Sequence, residues 1–511
     1  MGGTAQKPST YQGLTLAAGL HATAAHSPRR PALMLGERTL DYGELSARIR
    51  RVAGGAVEML GRTYGERAVI LAPNCIEYPE IICGLSDAGM VVSTANPRIT
   101  SRELEALAAD CAPRMVFVHP SLESVVSGAS LPSVEKTLVL GEEYEAWLAA
   151  QAPRSPISEL METDPFALVY TSGTTGKPKG VLLSHRSRAM TFFGMAMEFG
   201  CFGPDDRHLS IAPMAHGAGF AFTMAPLFFG AFVEVLEKFD PERVLDRLGR
   251  GDHTGTFMVP THYQTIFGLE PSVLERYRGT TPLLRAIISN ASALPQAVKE
   301  KIIGYWGEGL LHETYGSTEG GIVTNLRPAE QLTKIQSVGR PFSCTEVLLL
   351  DDDGRPVADG EVGELYSRSP FLFNGYYCRP EETAACMREG AVSVGDLARR
   401  DEDGCIYIVD RKKDMVISGG LNIYPREIEE VLHKHPGIRE AAVIGVPDER
   451  WGEALRAFVV TEQGHPLDAE AVEVHCRRWL GGYKVPRSVR FVEALPRNAG
   501  GKVLKQELRD V

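Results

Sequence analysis

The sequence lacks the features of several protein classes. Near its start there is no basic stretch followed by an apolar core of roughly seven to fifteen residues, so we expect no signal peptide. The most apolar run, at 220–233, is shorter than the roughly 20 residues that span a bilayer and is interrupted by Pro226 and Gly230. It predicts a buried helix beside a pocket. The nine cysteines form no C-x-x-C pair, which favours reduced, buried or idle thiols in a cytoplasmic protein with no membrane partner.

Positive charge is also scarce. The chain has 54 lysines and arginines against 65 acidic residues, a net charge of −11. Proteins that bind nucleic acid need a basic face, so this balance argues against such a partner. It does not exclude a small phosphate ligand, because a few backbone N–H groups and a lysine can hold one. Glycine, by contrast, is abundant at 52 of 511 residues, which is typical of tight turns and close approach of backbone to ligand.

Most of the chain has the pattern of an α/β protein. From about 40 to 410, short β-branched runs alternate with helical patterns. Candidate strands lie at 166–170, 283–289 and 310–315, and each is followed by a polar or glycine-rich loop. In open α/β sheets, ligands bind just beyond the carboxyl ends of the strands, so these loops are the first candidates for chemistry.

The C-terminal part has a different pattern. From about Cys344, short strands and the Asp-Gly turns at 353–354 and 403–404 predict a smaller antiparallel sheet. The elements predicted after the charged segment 410–414 are a helix from Pro425, strands at 441–446 and 456–461, and a helix at 469–480. We therefore predict a large, multi-layer α/β N-terminal domain at 1–412 and a small α+β C-terminal domain at 413–511.

The strongest motif directly follows the strand predicted at 166–170. It consists of Thr171, Ser172, Gly173, Thr174, Thr175, Gly176, Lys177, Pro178, Lys179 and Gly180. Three glycines let successive backbone N–H groups converge, and hydroxyls and lysines add donors, so the loop suits a polyphosphate. It does not fit the Walker pattern, because Thr171 stands where the first glycine belongs and Pro178 follows the lysine.

A second motif, at 315–319, follows the strand predicted at 310–315. Tyr315 beside Gly316 offers a flat face to a purine, and the Glu319 carboxylate is of the kind that binds phosphate-bound Mg²⁺. Alone, this pentapeptide is a weak signal.

Two further clusters are also weak by themselves. Asp396 can accept hydrogen bonds from ribose hydroxyls, and Arg411 follows fifteen residues later. Lys502 lies on a glycine-rich loop near the end of the sequence. Taken singly, Asp396 is more often a turn residue, Arg411 a surface charge and Lys502 part of a solvated tail.

Together, in this order and spacing, the four motifs resemble those of the adenylate-forming superfamily of acyl-CoA synthetases, peptide-synthetase adenylation domains and luciferases. The resemblance extends from about Leu40 to Lys505, and the segment 410–425 supports it. It implies that the enzyme converts a carboxylic acid and ATP to an acyl-adenylate, with Mg²⁺. Coenzyme A then takes the acyl group, and AMP and pyrophosphate are released. It also implies that the small domain is mobile about a hinge at Lys413.

The resemblance implies roles for individual residues. The phosphate-binding residues would be Thr171, Ser172, Gly173, Thr174, Thr175, Gly176 and Lys179. Tyr315 and Gly316 would bind adenine, Thr318 would contact phosphate, and Glu319 would bind Mg²⁺. The remaining residues would be Asp396 and Arg411 on the ribose, Lys502 on the carboxylate and the α-phosphate, and Gly419 and Gly420 along the tunnel for the pantetheine thiol.

The segment that lines the acyl pocket in the family departs from the usual pattern here. Ala215 stands where an aromatic residue usually precedes His216, and Gly217 follows. We expect a roomy pocket with Phe220 as an apolar wall and with His216 near the carbonyl that forms the thioester. A lone histidine is also often only a pocket wall.

The second departure is Asn290, where the family usually has glycine, followed by Ala291. Asparagine tolerates a left-handed backbone, so the turn can survive. We expect a bulky, mainly apolar acid, with an elongated fatty acid as the nearest alternative. An enzyme that performs only thioester formation, and a non-catalytic binder of adenylate or CoA, are further alternatives. The sequence leaves monomer and homodimer open.

Overall fold

The computed structural model describes residues 13–171, 179–419, 421–462, 465, 467–497 and 503–509. The chain forms two compact units. The first contains Met1–Glu346 and Arg368–Gly390, and the second contains Val347–Ser367 and Ala391–Val511. The second unit thus takes in residues that precede the predicted domain boundary at 412/413. The predicted boundary at 412/413 and the predicted hinge at Lys413 describe how the small domain would move, and both stay predictions.

The helices, in chain order, are α1 Ala18–His26, α2 Tyr42–Leu60, α3 Glu77–Asp87, α4 Ser101–Cys111, α5 Glu123–Ser127, α6 Glu142–Ala150, α7 His185–Phe199, α8 Gly217–Phe228, α9 Pro241–Gly249, α10 Pro260–Ile266, α11 Pro271–Tyr277, α12 Gln296–Trp306, α13 Pro380–Cys386, α14 Pro425–Leu432, α15 Ala469–Trp479 and α16 Lys505–Arg509. Short 3-10 helices lie at Pro120–Leu122, Pro328–Glu330 and Gly482–Lys484.

The strands, in chain order, are β1 Pro31–Leu35, β2 Arg38–Asp41, β3 Arg67–Leu71, β4 Val91–Ala95, β5 Met115–Val118, β6 Lys136–Val139, β7 Pro165–Thr171, β8 Lys179–Ser184, β9 Arg207–Ser210, β10 Phe232–Val235, β11 Gly255–Met258, β12 Ala286–Ser289, β13 Leu311–Ser317, β14 Gly321–Leu326, β15 Arg340–Pro341, β16 Glu346–Leu350, β17 Gly363–Arg368, β18 Gly375–Tyr376, β19 Met387–Arg388, β20 Ala391–Val392, β21 Asp396–Arg400, β22 Ile406–Arg411, β23 Val416–Ser418, β24 Leu421–Ile423, β25 Ile438–Asp448, β26 Gly452–Thr461 and β27 Ser488–Phe491.

Two mixed sheets form the described part of the first unit. One has nine strands in the order β15-β14-β13-β12-β11-β9-β10-β1-β2, and its six central strands from β13 to β1 are parallel. The other has seven strands in the order β18-β8-β7-β4-β3-β5-β6, parallel from β7 to β6. Parallel strands separated by helices confirm the α/β prediction for this region.

Buried apolar side chains from the strands and the covering helices explain why these segments fold as they do. Leu209, Met258 and Ile287 of the nine-stranded sheet pack with residues of α9, α10 and α12. Helix α4 begins where Thr100 and Glu103 form a reciprocal capping box, which satisfies two backbone donors at its first turn. The strands predicted at 166–170 and 310–315 are observed, with small differences at their ends, as β7 and β13.

The apolar run at 220–233 is only partly helical. Helix α8 is buried, as predicted, and includes Pro226. The chain then turns at Gly230, whose φ is +90°, and Phe232–Val235 forms β10 in the centre of the nine-stranded sheet. The helix prediction is therefore wrong for the last five residues of the run, 229–233, because α8 ends at Phe228 and the chain turns at the positive-φ Gly230.

The second unit is built mainly from antiparallel pairs. Strand β17 pairs with β20 and β21, and β21 pairs with β22. Further along, β24, β23, β26 and β25 form an antiparallel order, with β27 parallel to β26. Ile428, Leu432 and Val472 of α14 and α15 pack on this sheet, as the predicted α+β character requires.

All nine cysteines are free thiols, six of them buried. Among the described residues, no helix is both long and apolar enough to cross a membrane.

Candidate active site

The ends of the predicted phosphate loop are held by a strand pair. Thr171, the last residue of β7, lies opposite Lys179, the first residue of β8, in an antiparallel register. The loop residues Ser172, Gly173, Thr174, Thr175 and Gly176 lie outside the described residues. The Lys179 ammonium lies 5.1 Å from the centroid of the Tyr376 ring. Tyr376 is on β18, which pairs with β8.

The second motif lies at the end of β13, on the nine-stranded sheet. The pairing of β13 with β14 shifts register between Tyr315 and Gly316. A Cβ at Gly316 would overlap the backbone carbonyl of Gly321, so only glycine fits there. Tyr315 and Thr318 are half-buried at this bulge. The glycine beside the tyrosine is thus required by close backbone approach as well as by any ligand.

Glu319 lies just past that bulge and is 8% exposed. The Tyr376 hydroxyl donates to Glu319 Oε1 over 2.9 Å. The Phe373 backbone N–H donates to the Glu319 carbonyl oxygen, also over 2.9 Å. No group of three or more His, Cys, Asp or Glu side chains that could hold a metal occurs among the described residues. A single carboxylate fits Mg²⁺ that is held mostly by phosphate oxygens and water, the usual arrangement for this ion with ATP.

Asn290 follows β12, next to β13 in the same sheet, so the carboxyl ends of the two parallel strands lie side by side. Its amide Nδ2 donates to Thr314 Oγ1 over 2.6 Å, and its Oδ1 accepts from the Ala291 N–H. Ala291 has a φ of +80°, in the left-handed region that non-glycine residues seldom adopt. The asparagine therefore ties a strained turn to the residue immediately before Tyr315.

A buried ion pair supports the turn that Asn290 opens. Lys299 of α12 pairs with Glu313 of β13, and both side chains are nearly inaccessible, at 2% and 6% exposure. Glu313 Oε1 also accepts from the Leu294 N–H over 3.1 Å, at the end of the turn that Asn290 opens. Buried charges persist only when they are paired and hydrogen-bonded, so this pair fixes the position of the turn.

His216 lies at the N-terminal cap of α8, where the two sheets of the first unit meet. Its Nε2 is 3.3 Å from Asn96 Nδ2, an amide nitrogen beyond β4 that can only donate. Burial, and secondarily the charge of Arg98, lower the pKa of His216 below 6.5. The imidazole is therefore neutral at neutral pH and accepts at Nε2.

The loop before His216 is held by one buried side chain, Asn74, which follows β3. Its Nδ2 lies within hydrogen-bonding distance of three backbone carbonyl oxygens, and its Oδ1 accepts from the Met214 N–H over 2.8 Å. Thr94 Oγ1 donates to the Ala215 carbonyl over 3.0 Å. The backbone that presents Ala215 and His216 is thus fixed from the seven-stranded sheet.

The two glycines near the start of α8 have opposite surroundings. A Cβ at Gly219 would overlap the Pro213 carbonyl, whereas a Cβ at Gly217 would meet no atom within 4 Å. Phe220 is buried and its ring stacks on Phe166 with centroids 6.2 Å apart. A side chain at Gly217 would thus have room, whereas close backbone approach requires glycine at Gly219.

In the second unit, Asp396 and Arg411 lie opposite each other in the β21–β22 pair. Arg411 Nε is 3.0 Å from Asp396 Oδ1, and Asp396 is 5% exposed. The cross-strand register thus makes the arginine the electrostatic partner of the candidate ribose-binding carboxylate.

Gly419 and Lys413 also lie in the second unit. Gly419 has a φ of +58°, donates its N–H to the Trp451 carbonyl, and a Cβ there would lie 2.7 Å from the Trp451 ring. Packing against Trp451 alone thus requires glycine at this position. Lys413 is exposed in the turn after β22. Gly420 and Lys502 lie outside the described residues, although Arg497 and Val503 on either side of the Lys502 loop form an antiparallel bridge.

Within the first unit, the structure brings Lys179 and Glu319 to one cluster around Tyr376, and Asn290 to Tyr315 through Thr314. The sequence reasoning missed Asn74, Lys299 and Tyr376. Asn74 carried a detectable signal, a polar residue three positions after the mainly apolar strand at 67–71. The other two carried none, because their partners are set by tertiary contacts.

The chain is similar to known proteins over most of its length. Residues 20–377 match the model of the AMP-binding enzyme family, and residues 427–502 match the AMP-binding enzyme C-terminal domain. The chain is 36% identical to a feruloyl-CoA synthase of Amycolatopsis, over 95% of this chain and 96% of that protein. It is 32% identical to a long-chain-fatty-acid–CoA ligase of Yersinia pestis, over 94% and 91%.

A solved structure is also similar over nearly its whole length. ATP-bound MatB from Rhodopseudomonas palustris aligns with a TM-score of 0.89 and 30% identity, covering 98% of this chain and 99% of that one. These matches confirm the predicted fold class of a large α/β domain with a small C-terminal domain. The chain belongs to the AMP-binding superfamily of adenylate-forming acyl-CoA ligases.

Proposed function

We propose that this AMP-forming acid–CoA ligase activates a bulky, mainly apolar carboxylic acid, alicyclic, polycyclic or aromatic. The observation that carries the proposal is the open space beside Gly217, where an added Cβ would contact nothing within 4 Å. Ala215, one residue before His216, is small and buried, so it leaves that space unfilled. Phe220, which stacks on Phe166, would supply an apolar wall for such an acid.

The polar groups on this side of the pocket also fit an apolar acid. Both ends of the Asn290 amide bind within the protein, to Thr314 and Ala291. The His216 imidazole is neutral because burial lowers its pKa. Neither group offers a charge to a second carboxylate. We assign His216 and Ala291 to the wall beside the reacting carbonyl, and Asn290 to the turn between the acyl and adenine positions.

The chemistry of the first half-reaction follows from the substrate. A carboxylate is a poor electrophile, because its leaving group would be oxide. Attack on the α-phosphate of ATP gives an acyl-adenylate whose leaving group is AMP. Lys502 would place a positive charge on the carboxylate and the α-phosphate as negative charge develops there. The loop from Thr171 to Lys179, including Ser172, Gly173, Thr174, Thr175 and Gly176, would hold the β- and γ-phosphates until pyrophosphate leaves.

The remaining nucleotide contacts are assigned residue by residue. Tyr315 and Gly316 would bind adenine, and Thr318 the phosphate. Asp396, paired with Arg411, would accept from the ribose hydroxyls. Glu319 would hold Mg²⁺, which supplies positive charge to the phosphates when it is bound.

The second half-reaction needs a different set of groups at the same carbonyl. Lys502, Gly419 and Gly420 all follow Lys413 in the chain. A rotation about Lys413 would withdraw Lys502 and present the glycines, past which the pantetheine thiol reaches the acyl carbonyl.

The test is the release of AMP, dependent on coenzyme A, with a panel of acids of graded size. We expect the highest kcat/KM with cinnamic-type or polycyclic acids, a lower value with long-chain fatty acids, and the lowest with succinate. A panel led by fatty acids would establish the alternative, a fatty-acid–CoA ligase. A panel led by succinate would contradict the assigned pocket.

A second candidate function is thioester formation alone, from an acyl-adenylate made elsewhere. The observation in its favour is Asn290, whose side chain stands beside the adenine position where the family usually has none. Exchange of labelled pyrophosphate into ATP that depends on the acid would reject this alternative. Absence of exchange, together with conversion of supplied acyl-adenylate to the CoA thioester, would establish it.

A further inference from the structure

Tyr376 occupies a position in the first unit to which the sequence motifs assign no role. Strand β18 pairs antiparallel with β8, with Tyr376 opposite Val181 and Gly375 opposite Leu182. Strand β8 is the strand that leads out of the predicted phosphate loop. Tyr376 is therefore held by backbone pairing beside that loop.

The side chain of Tyr376 contacts two of the groups assigned to ATP and its metal. Its hydroxyl donates to Glu319 Oε1 over 2.9 Å, while its ring lies 5.1 Å from the Lys179 ammonium. A cation near an aromatic ring is attracted by the ring quadrupole. One residue thus contacts a carboxylate on β13–β14 and an ammonium on β8, which lie on different sheets.

Neighbouring groups fix the tyrosine itself. Its backbone N–H donates to Thr383 Oγ1 over 2.9 Å, and the Phe373 ring packs edge-on against its ring at 5.1 Å. The same segment holds the Glu319 backbone, because the Phe373 N–H donates to the Glu319 carbonyl. Both the carboxylate and the backbone of Glu319 are therefore positioned by residues 373–376.

We propose that Tyr376 is a positioning residue for the adenylation reaction: its hydroxyl holds Oε1 of Glu319 so that the other carboxylate oxygen faces the cation, and its ring seats the Lys179 ammonium. A phenol donates one hydrogen bond to the carboxylate without competing for the metal. Partners that orient a metal-binding side chain commonly affect metal affinity by 10- to 100-fold. The inference rests on the proposed roles of Glu319 and Lys179.

The test compares Tyr376→Phe with Tyr377→Phe. Tyr377 is the adjacent residue, and its side chain packs against a separate apolar cluster that includes Leu168 and Leu182. Binding of Mn²⁺ to the enzyme with ATP, without acid, is measured by electron paramagnetic resonance, and ATP binding without metal by calorimetry. For Tyr376→Phe we expect Mn²⁺ affinity to fall about tenfold while metal-free ATP affinity is unchanged. Tyr377→Phe is expected to match the unaltered chain in both.

A second variant reaches the same hydrogen bond from its other partner. Glu319→Asp keeps a carboxylate but withdraws it from the Tyr376 hydroxyl, so it should weaken Mn²⁺ binding in the same way. The double variant with Tyr376→Phe should lose little further Mn²⁺ affinity, because both changes break the same hydrogen bond. Tyr376→Leu should in addition weaken metal-free ATP binding a few-fold, because the ring beside Lys179 is gone.

The outcomes separate this inference from the proposed function. Unchanged Mn²⁺ affinity in Tyr376→Phe, with Glu319→Asp impaired, would overturn the role of Tyr376 and leave the assignment of Glu319 intact. Unchanged affinity in both would overturn the assignment of Glu319 as well. A lower melting temperature of Tyr376→Phe with full Mn²⁺ affinity would show that the hydroxyl serves stability only.

Discussion

The phosphate end and the acyl end of the candidate site are built in opposite ways. At the candidate phosphate end, Lys179 and Glu319 each contact Tyr376, so this end is defined by side chains that are present. At the acyl end, the defining features are missing side chains at Ala215 and Gly217, on a backbone fixed by buried polar residues. Phosphate chemistry is the same for every member of such a family, whereas the acid is not. A pocket shaped by absent atoms can therefore change substrate without disturbing the phosphate contacts.

The largest expected effect concerns the support of the acyl end. Lys299→Met would leave the buried Glu313 carboxylate without its cation, so we expect a loss of about 3–5 kcal/mol of stability. Thermal unfolding by calorimetry measures it. Lys301→Met, on the exposed side of the same helix, is the control and should change little. A double change, Lys299→Met with Glu313→Gln, should recover part of the loss. If Lys299→Met and Lys301→Met were equally stable, the Lys299–Glu313 pair would not hold the turn.

The next largest effect concerns Lys502, to which the proposed function gives a role on the carboxylate and the α-phosphate. Lys502→Ala should slow adenylation by about 10²- to 10³-fold, because positive charge is lost where negative charge develops. Thioester formation from supplied acyl-adenylate should be far less affected. Rapid-quench measurement of the two half-reactions separates them. Equal losses in both would contradict the assigned role, and unimpaired adenylation would mean that a different group stabilises the developing charge.

A smaller effect is expected from filling the acyl end. Gly217→Val should lower kcat/KM for the preferred bulky acid by roughly 10- to 100-fold, because the side chain occupies the space that the acid needs. Activity with a short acid such as propionate, and pyrophosphate binding, should be retained. Gly304→Val is the matched control, since a Cβ at this exposed helical position also meets no atom within 4 Å. A similar loss with short and bulky acids would show that Gly217 does not border the acyl pocket.

The same contrast explains what could be predicted from the sequence. The phosphate end could be predicted because glycines, hydroxyls and lysines lie together in the chain, directly after an apolar strand, and the role of the loop stays a prediction. The tyrosine that supports this end could not, because Tyr376 is 57 residues from Glu319 and the two meet only through the β8–β18 pairing. At the acyl end, Asn74 reaches Met214 across 140 residues, and no local pattern encodes that contact.

Element prediction failed for the same physical reason. The mainly apolar segments 286–289 and 232–235, which include Ser289 and Glu234, are buried in the interior of the nine-stranded sheet, where strands lack the alternation that marks a half-buried strand. Residues 283–285, included in the predicted strand, precede β12, and Leu283 is 55% exposed. Burial on both faces, which depends on the rest of the fold, decides which part of an apolar run becomes strand.

The smallest expected effect tests the electrostatics of the acyl end. Burial is the larger cause of the lowered pKa of His216, and the nearby charge of Arg98 is the smaller one. Arg98→Ala should therefore raise this pKa but leave it below 6.5. Titration of the imidazole proton by NMR measures the shift. His262 is the internal control, since burial alone lowers its pKa to about 4.

The sign of the linked stability change follows from the same shift. A histidine whose folded pKa is below its unfolded value of 6.5 stabilises fully above that pH and loses its contribution as the pH falls, because the unfolded chain then binds more protons. Removing the charge of Arg98 brings the two pKa values closer together, so the loss between pH 6.5 and pH 5 should become shallower. A steeper loss would mean that Arg98 favours the imidazolium. The effect assigned to Arg98 would then have the wrong sign, and burial alone would account for the lowered pKa of His216 at the acyl end.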